Sequence, residues 1–401
     1  MNKGCLSRYF SGVVAKRLSA VEIDALSSNQ HEFNGTNALK QLFGSERRTI
    51  RTRFLYVTDD MVEVSEDGVL TWYDARERNP DRSEFRLYYN APEVSSRAKT
   101  GDPLFVVLRR DETALVIVAP NESTIASQIA WLFGVDVVDE FTGKSEFSAD
   151  SGLEFATRHV LEELGVVLPD ENEDIDVEEM FSVFNGKLPE TKLFSEYARS
   201  KCDQYDKDAE PDTVIVSWFE KEAKLFRAFE KRLIDKKVTG GFSSVDEFLA
   251  YSLSVQNRRK SRAGHSFENH LAALFELHEL KFDHQKITEN KERPDFVFPG
   301  IKQYHDEAFQ VELLTMLGAK NTCKDRWRQV LQEAERIPHK HLITMETAIS
   351  VDQTMQMQSK NLQLVVPRSV AMTYTPKQQE WLMSVDSFIR YVKEKQAKAF
   401  G

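Results

Sequence analysis

Four residues in the C-terminal half have the types and spacing that phosphodiester hydrolysis calls for. Asp295 follows Pro294 and opens the apolar run DFVFP, Lys320 ends ELLTMLGAK, Glu333 lies in KDRWRQVLQEAERI, and Glu268 lies in SFENHL. The reaction needs an activated water, a positive charge on the phosphate and stabilisation of the leaving oxygen. Carboxylates that hold Mg²⁺, together with a lysine, supply all three. Each residue also has an ordinary reading: Asp295 as a turn residue, Lys320 and Glu333 as surface charges, Glu268 as a helix acid beside Phe267, Leu271, Leu274 and Phe275. The combination gives the set its weight.

Strands must place two of these groups. DFVFP (295–299), ELLTMLGAK (312–320), HLITM (341–345) and LQLVVP (362–367) read as strands. Strict alternation on the second would turn Met316, Gly318 and Lys320 to one side and Leu317 and Ala319 to the other, so that Lys320 emerges where the strand ends. A helix from Lys324 is expected next, with Trp327, Val330, Leu331, Ala334 and Ile337 as its apolar stripe. Arg326 and Glu333 would then share nearly one face, about 10 Å apart along the axis. Further helices are expected near 189–205 and 214–236, at SVDEFLAYSLSVQNRR and at SFENHLAALFELHEL. Strand, helix, strand in this order favours an α/β domain with a mixed central sheet flanked by helices.

The first 140 residues read as mostly β. LFVVLRRDETALVIVAP (104–120) is a hairpin pattern, and SNQHEFNGTNALKQLFG carries one short helix, capped by Asn34 or Thr36 and ended by Gly44. Short strands at these intervals suggest a barrel or sandwich. From Leu161 to Gly186 the chain is acidic, with no Lys or Arg, and lacks the ligand spacing and central Gly of an EF-hand loop. The expected division is therefore a β domain over 1–150, an acidic linker over 151–187 and a second domain over 188–401.

The 401 residues carry a net charge of −11, which argues against a nonspecific nucleic-acid binder but leaves room for a specific one with local basic clusters. Arg258, Arg259, Lys260 and Arg262 form one such cluster, whose plainer reading is a solvated turn. Cys5, Cys202 and Cys323 are too scattered for a disulfide framework or a zinc site, and His339, His341, His265, His270 and His278 are read as structural. No membrane span or signal peptide is expected, and the expected location is cytoplasmic.

Over about 188–370 the chain resembles the EcoRII family of restriction endonucleases, through SVDEF, NRRKSRAG followed by SFENHL, PDFVFP, QYHD and KNTCKDRWRQVLQEAERI. The resemblance implies a restriction-endonuclease-like fold and a variant of the PD-(D/E)xK site. Gly318 stands where the usual acid would be, and Glu333, thirteen residues after the lysine, takes its place. Asp295 and Glu333 would then bind Mg²⁺, Lys320 would orient the attacking water, and Glu268 matches a further acidic position of the family. Lys324, Asp325 and Arg326 would read the target, which suits a C/G-rich half-site because Asp accepts from cytosine N4 while Arg and Lys donate to guanine.

The family suggests CC and GG flanking a centre, as in CCWGG, with the run Arg258 to Arg262 near the phosphates or the centre. Through KRLSA and SNQHE the first 140 residues are similar to the N-terminal domain of a branch of this family, which implies a β pseudobarrel serving as a DNA-binding or effector module. Arg47, Arg48, Arg51, Arg53, Arg76, Arg82, Lys16 and Arg17 are candidate phosphate contacts there. The reading is a type II, Mg²⁺-dependent endonuclease acting on double-stranded DNA as a homodimer. The alternatives are a methylation-dependent endonuclease, with Trp72, Tyr73, Tyr88 and Tyr89 lining a base pocket, and a DNA-binding protein without cleavage.

Overall fold

The computed structural model describes residues 6, 9–23, 32–59, 62–78, 82–144, 160–161, 177–203, 205–206, 208–321, 323, 326–347 and 349–401, with Lys260 described by its main chain alone. It divides into two compact units. One comprises Met1–Leu168, Thr347–Asp352 and Met372–Gln379, the other Pro169–Glu346, Gln353–Ala371 and Glu380–Gly401. Most of the acidic stretch expected as a linker lies outside the described residues.

The first unit is built on one eight-stranded sheet: β1 (Phe10–Arg17), β2 (Glu32–Asn34), β3 (Arg48–Val57), β4 (Val62–Asp74), β5 (Phe85–Tyr89), β6 (Pro103–Arg109), β7 (Ala114–Val118) and β8 (Thr142–Lys144), in the order β2-β5-β4-β3-β7-β6-β1-β8. The expected hairpin is β6–β7, with Leu104 opposite Val118. Helix α1 (Asn37–Phe43) is capped by Thr36, whose side chain accepts from Leu39 N at 3.4 Å, and stops at Gly44 (φ 82). Alternation along β3 sends Ile50, Phe54 and Tyr56 into one core and Leu55 and Val57 into another, which α3 (Thr124–Phe133) covers after the short α2 (Pro92–Arg97).

The sheet curls strongly. Laid flat, its two edge strands would be about 34 Å apart at the usual strand spacing. Yet Phe33 of edge strand β2 meets Phe141, one residue before edge strand β8, edge to face at 5.6 Å. The inner core closes the barrel that the ladder leaves open, which gives the expected pseudobarrel.

The second unit opens with α4 (Val177–Val183), α5 (Thr191–Ser200), α6 (Pro211–Gly240) and α7 (Val245–Leu277). The two helices expected around 245–277 are one. The basic run therefore lies in the middle of a helix, and Gly264 does not break it, since the i to i−4 ladder costs only propensity at such a residue. A five-stranded sheet follows, β13-β12-β11-β10-β9, comprising β9 (Asp283–His284), β10 (Phe296–Phe298), β11 (Thr315–Ala319), β12 (Lys340–Ile343) and β13 (Leu362–Val365). β9–β10–β11 pair antiparallel and β11–β12–β13 parallel, the expected mixed sheet.

On one face of this sheet Phe296 and Phe298 pack against Phe275 of α7, with ring centroids at 5.2 and 5.3 Å, and Phe298 meets Phe388 of the C-terminal helix Val385–Phe400 at 5.8 Å. The other face receives the segment after β11. The helix expected over 324–337 is a single turn, α8 (Trp327–Val330), followed by turns in which Ala334 takes φ 50. Trp327, Val330, Ala334 and Ile337 are buried as the apolar stripe requires, while Leu331 is only half-buried. The stripe survives although the helix does not.

Candidate active site

The register of β10 on β11 pairs Phe296 with Leu317 and Val297 with Met316, so the next step places Asp295 opposite Gly318. Asp295 is 6% exposed, and its Oδ2 accepts from Lys320 Nζ at 2.7 Å and from Ala319 N at 2.6 Å. Lys320 is fixed in turn because its amide continues the parallel ladder to Ile343 O at 3.0 Å. Two strand ends thus deliver a buried carboxylate and its ammonium partner to the same face. Burial pushes the Asp295 carboxyl up, Lys320 and the Ala319 amide oppose the shift, and the Glu268 carboxylate adds to it.

Glu333 is 7% exposed. Burial raises its carboxyl to about 7; Lys320 pulls it back down, and Asp295 pushes it further up. Its Oε2 has no hydrogen-bond partner among the described residues. An acid buried without a donor is costly in the charged form, and the shift expresses that cost.

Gly318 accounts for where this acid sits. A Cβ built at 318 would lie 2.9 Å from Val330 Cγ2, so an acid two before the lysine would have to displace Val330. Val330 packs on β11 at this point, and the same segment supplies Glu333 three residues later. Glu268, on α7, accepts from Gln285 Nε2 at 2.7 Å and meets His284 Nε2 at 3.1 Å, which ties it to β9 beside the Asp295 end of the sheet. All four candidate acids and base therefore belong to one electrostatically coupled group.

Other candidates fall differently. Arg326 is exposed beside α8, whereas Lys324 and Asp325 lie outside the described residues. Arg258 and Arg259 both pair with the fully buried Glu230 of α6, at 3.1 and 2.5 Å, and keep part of their guanidinium surface in solvent. Arg262 is committed inward: it lies over the Phe194 and Phe226 rings at 5.3 and 5.0 Å and donates to Pro189 O at 2.7 Å. In the first unit Lys16 is buried against Glu22 (2.7 Å), and Arg17 bonds Asn121 and Gly101 O, so both serve the fold. Arg47 and Arg51 are exposed, while Arg48, Arg53 and Arg76 face Glu112, Asp67 and Glu84. Trp72 and Tyr89 belong to the barrel core, Trp72 with its Nε1 on Gly44 O at 3.0 Å, while Tyr89 lines an apolar cavity with Leu18, Phe33, Phe54 and Leu70.

One feature escaped the sequence reading, and one histidine read there as structural joins three helices. Lys340, buried at the start of β12, donates to the carbonyls of Glu333 and Ala334. Buried His270 lies 2.9 Å from Glu222 and 3.1 Å from Arg199, joining α5, α6 and α7. A charged residue opening an otherwise apolar strand was the available signal for Lys340. Among the described residues no three His, Cys, Asp or Glu side chains gather closely enough to form a metal cage by themselves.

Residues 226–389 match the family model described as EcoRII C terminal. The match covers 164 of the 401 residues, from within α6 to within the C-terminal helix. The type II restriction enzyme EcoRII of Escherichia coli is 42% identical over 205 residues, which are 51% of this chain and 50% of that enzyme. The chain thus spans about half the length of this curated relative. A solved structure of metal-depleted Ecl18kI in complex with uncleaved DNA is similar with a TM-score of 0.47 and 20% identity, covering 56% of this chain and 86% of that one. A PspGI–substrate DNA complex is similar with a TM-score of 0.43 and 15% identity, covering 53% and 94%. The matched residues include Glu268, Asp295, Lys320 and Glu333.

Proposed function

We propose that this chain is a Mg²⁺-dependent type II restriction endonuclease that cuts double-stranded DNA at a short CC/GG-flanked site such as CCWGG. The observation that carries the reading is that Asp295, Lys320 and Glu333, which act on one another electrostatically, all lie within the residues that match the EcoRII C-terminal family model. The residues fit a hard divalent cation: two buried carboxylates offer oxygen donors, and one Glu333 oxygen lacks any donor of its own. Mg²⁺ keeps several waters and takes one or two carboxylates with the substrate phosphate, so a full protein cage is unnecessary. Asp295 and Glu333 would hold it, and it would supply Lewis-acid stabilisation of the phosphate and a more acidic water.

The protein groups do the rest. Asp295 anchors the site through the Ala319 amide. Lys320, already 2.7 Å from Asp295 Oδ2, holds its ammonium where a phosphate oxygen and the attacking water arrive. Glu268 keeps His284 and Gln285 in place beside Asp295. Glu333 must release its proton to ligate, which couples cation binding to pH. Lys324, Asp325 and Arg326 are assigned to base reading, and Arg258 and Arg259, with Lys260, to phosphates; Arg262 supports their helix.

A homodimer is assigned to the helix that carries the basic run. On α7 the exposed Val245, Leu249 and Leu253 repeat every fourth residue, with Phe248 alongside. Asp246 and Glu247 lie near one end of this stripe and Arg258 and Arg259 near the other. An antiparallel copy of the same helix meets it with apolar surface centred, and that pairing is two-fold and leaves Arg258 and Arg259 to the phosphates. The first unit is assigned a DNA-binding or effector role through Arg47 and Arg51.

The deciding experiment is cleavage of unmethylated and methylated plasmid with Mg²⁺ by the intact chain, by Lys320→Ala and by a fragment from about residue 169, with the ends sequenced. Discrete ends within a CC/GG-flanked site, lost in Lys320→Ala, are expected. Binding without cleavage under any divalent cation would leave a DNA-binding protein instead, and cutting of methylated DNA alone would favour the methylation-dependent alternative.

A further inference from the structure

Glu333 sits in a turn that a buried ammonium group holds in shape. Lys340 is 7% exposed, and its Nζ donates to the carbonyl oxygen of Glu333 and, at 3.3 Å, to that of Ala334. No ion pair to a carboxylate accompanies these bonds among the described residues. A buried ammonium satisfied by main-chain oxygens, with the carboxylates of Glu333, Glu289 and Glu335 acting on it only through space, has lost its hydration without a direct ion pair, so an aliphatic side chain of similar volume would fill the space at less cost. The charge is therefore best explained by the carbonyls it takes.

Had α8 continued, the Glu333 carbonyl would accept from the amide of Ile337. That amide instead bonds Ala334 O at 2.9 Å, and Ala334 turns into the left-handed region at φ 50. Lys340 replaces the missing helical donor. On the other flank, Arg336 spends its guanidinium on main-chain oxygens of Tyr304, of Asp306 at 2.8 Å and of Phe309 at 2.6 Å. The turn is thus clamped from two sides, and between the clamps the Glu333 side chain projects into the site with one oxygen unpartnered.

We propose that Lys340 is a positioning residue: by holding the carbonyls of Glu333 and Ala334 and so fixing the turn that follows α8, it orients the Glu333 carboxylate for the divalent cation without touching DNA. The proposal rests on Glu333 being a cation ligand. It places the determinant of cation affinity on the far side of the turn from the cation, and it separates cation binding from DNA binding.

The test is a calorimetric titration of the full-length protein with Mn²⁺, paired with binding of a CCWGG duplex in EDTA and with the Mg²⁺ dependence of cleavage. Lys340→Met is expected to weaken Mn²⁺ binding at least tenfold and to raise the Mg²⁺ needed for half-maximal cleavage similarly, while metal-free duplex binding stays unchanged. In a Glu333→Gln background Lys340→Met should cause no further loss of Mn²⁺ affinity, which a merely structural defect would. Adding Ala334→Gly to Lys340→Met should recover most of the affinity, because glycine adopts positive φ without strain. If Lys340→Met melts below the working temperature, Lys340→Arg, which keeps charge and donors, should hold Mn²⁺ within threefold of wild type. Wild-type Mn²⁺ affinity in Lys340→Met, or an equal loss with and without Glu333, would overturn the proposal. A wild-type protein that binds no Mn²⁺ would overturn the ligand role of Glu333 itself and this inference with it.

Discussion

At the residue scale, the buried Glu333 carboxyl sits in an environment that opposes its charge. Raised from 4.5 to about 7 by burial, it favours folding while protonated, a contribution present below pH 4.5 and lost as pH rises through 7. A shift of that size corresponds to roughly 3 kcal/mol. Glu333→Gln mimics the protonated acid, so thermal melts should find the variant more stable than wild type at pH 8 and nearly equal to it at pH 5. The same titration makes cation binding proton-coupled: at limiting Mg²⁺ the wild-type cleavage rate should climb between pH 6 and 8, and saturating Mg²⁺ should move that rise to lower pH. A profile indifferent to Mg²⁺ would remove Glu333 from the ligand set. Lys320→Ala breaks a buried pair and leaves Asp295 uncompensated, so a stability loss of about 3 kcal/mol should accompany the loss of cutting, visible as a lower denaturant midpoint.

At the element scale, the contact between Gly318 and Val330 decides where the second acid can come from. Gly318→Asp supplies the acid that the common pattern has, yet its Cβ must displace Val330 and with it the segment carrying Glu333. We expect it to cost about 1–3 kcal/mol and to abolish cleavage. Val330→Ala added to it should recover part of the stability, measured by urea unfolding. The strand ends were legible in the sequence because a period of two fixes the faces: Asp295 and Lys320 meet where alternation places them. The turn at Glu333 was not legible. Trp327, Val330, Ala334 and Ile337 keep a helical period through it, no Gly or Pro marks the break, and the donor that stabilises it is Lys340, on another strand. The uninterrupted α7 was missed for the converse reason, because polar and basic residues with Gly264 imitate a boundary that tertiary packing does not respect. Glu268 was singled out by its type and its helix and then matched a position of the resembled family, but its partners His284 and Gln285 come from a different element and no local pattern joins them.

At the scale of the whole molecule, a surface helix that exposes Val245 at 73%, Leu249 at 56% and Leu253 at 58% predicts association. Leu249→Lys should shift the sedimentation profile toward monomer and reduce coordinated two-strand cutting to nicking. An unchanged profile would move the dimer contact elsewhere. In the barrel of the first unit Lys16 and Arg17 are spent within the frame, whereas Arg47 and Arg51 stay exposed. That barrel is closed by aromatic rings, Phe33 on Phe141, and not by a ladder between β2 and β8. A seam made of rings can part without breaking a single main-chain bond. Amide hydrogen exchange should therefore be slowest in the central strands β3 and β7 and fastest along the two seam strands. The first domain would then breathe at one line only, like a sleeve with a single open cuff.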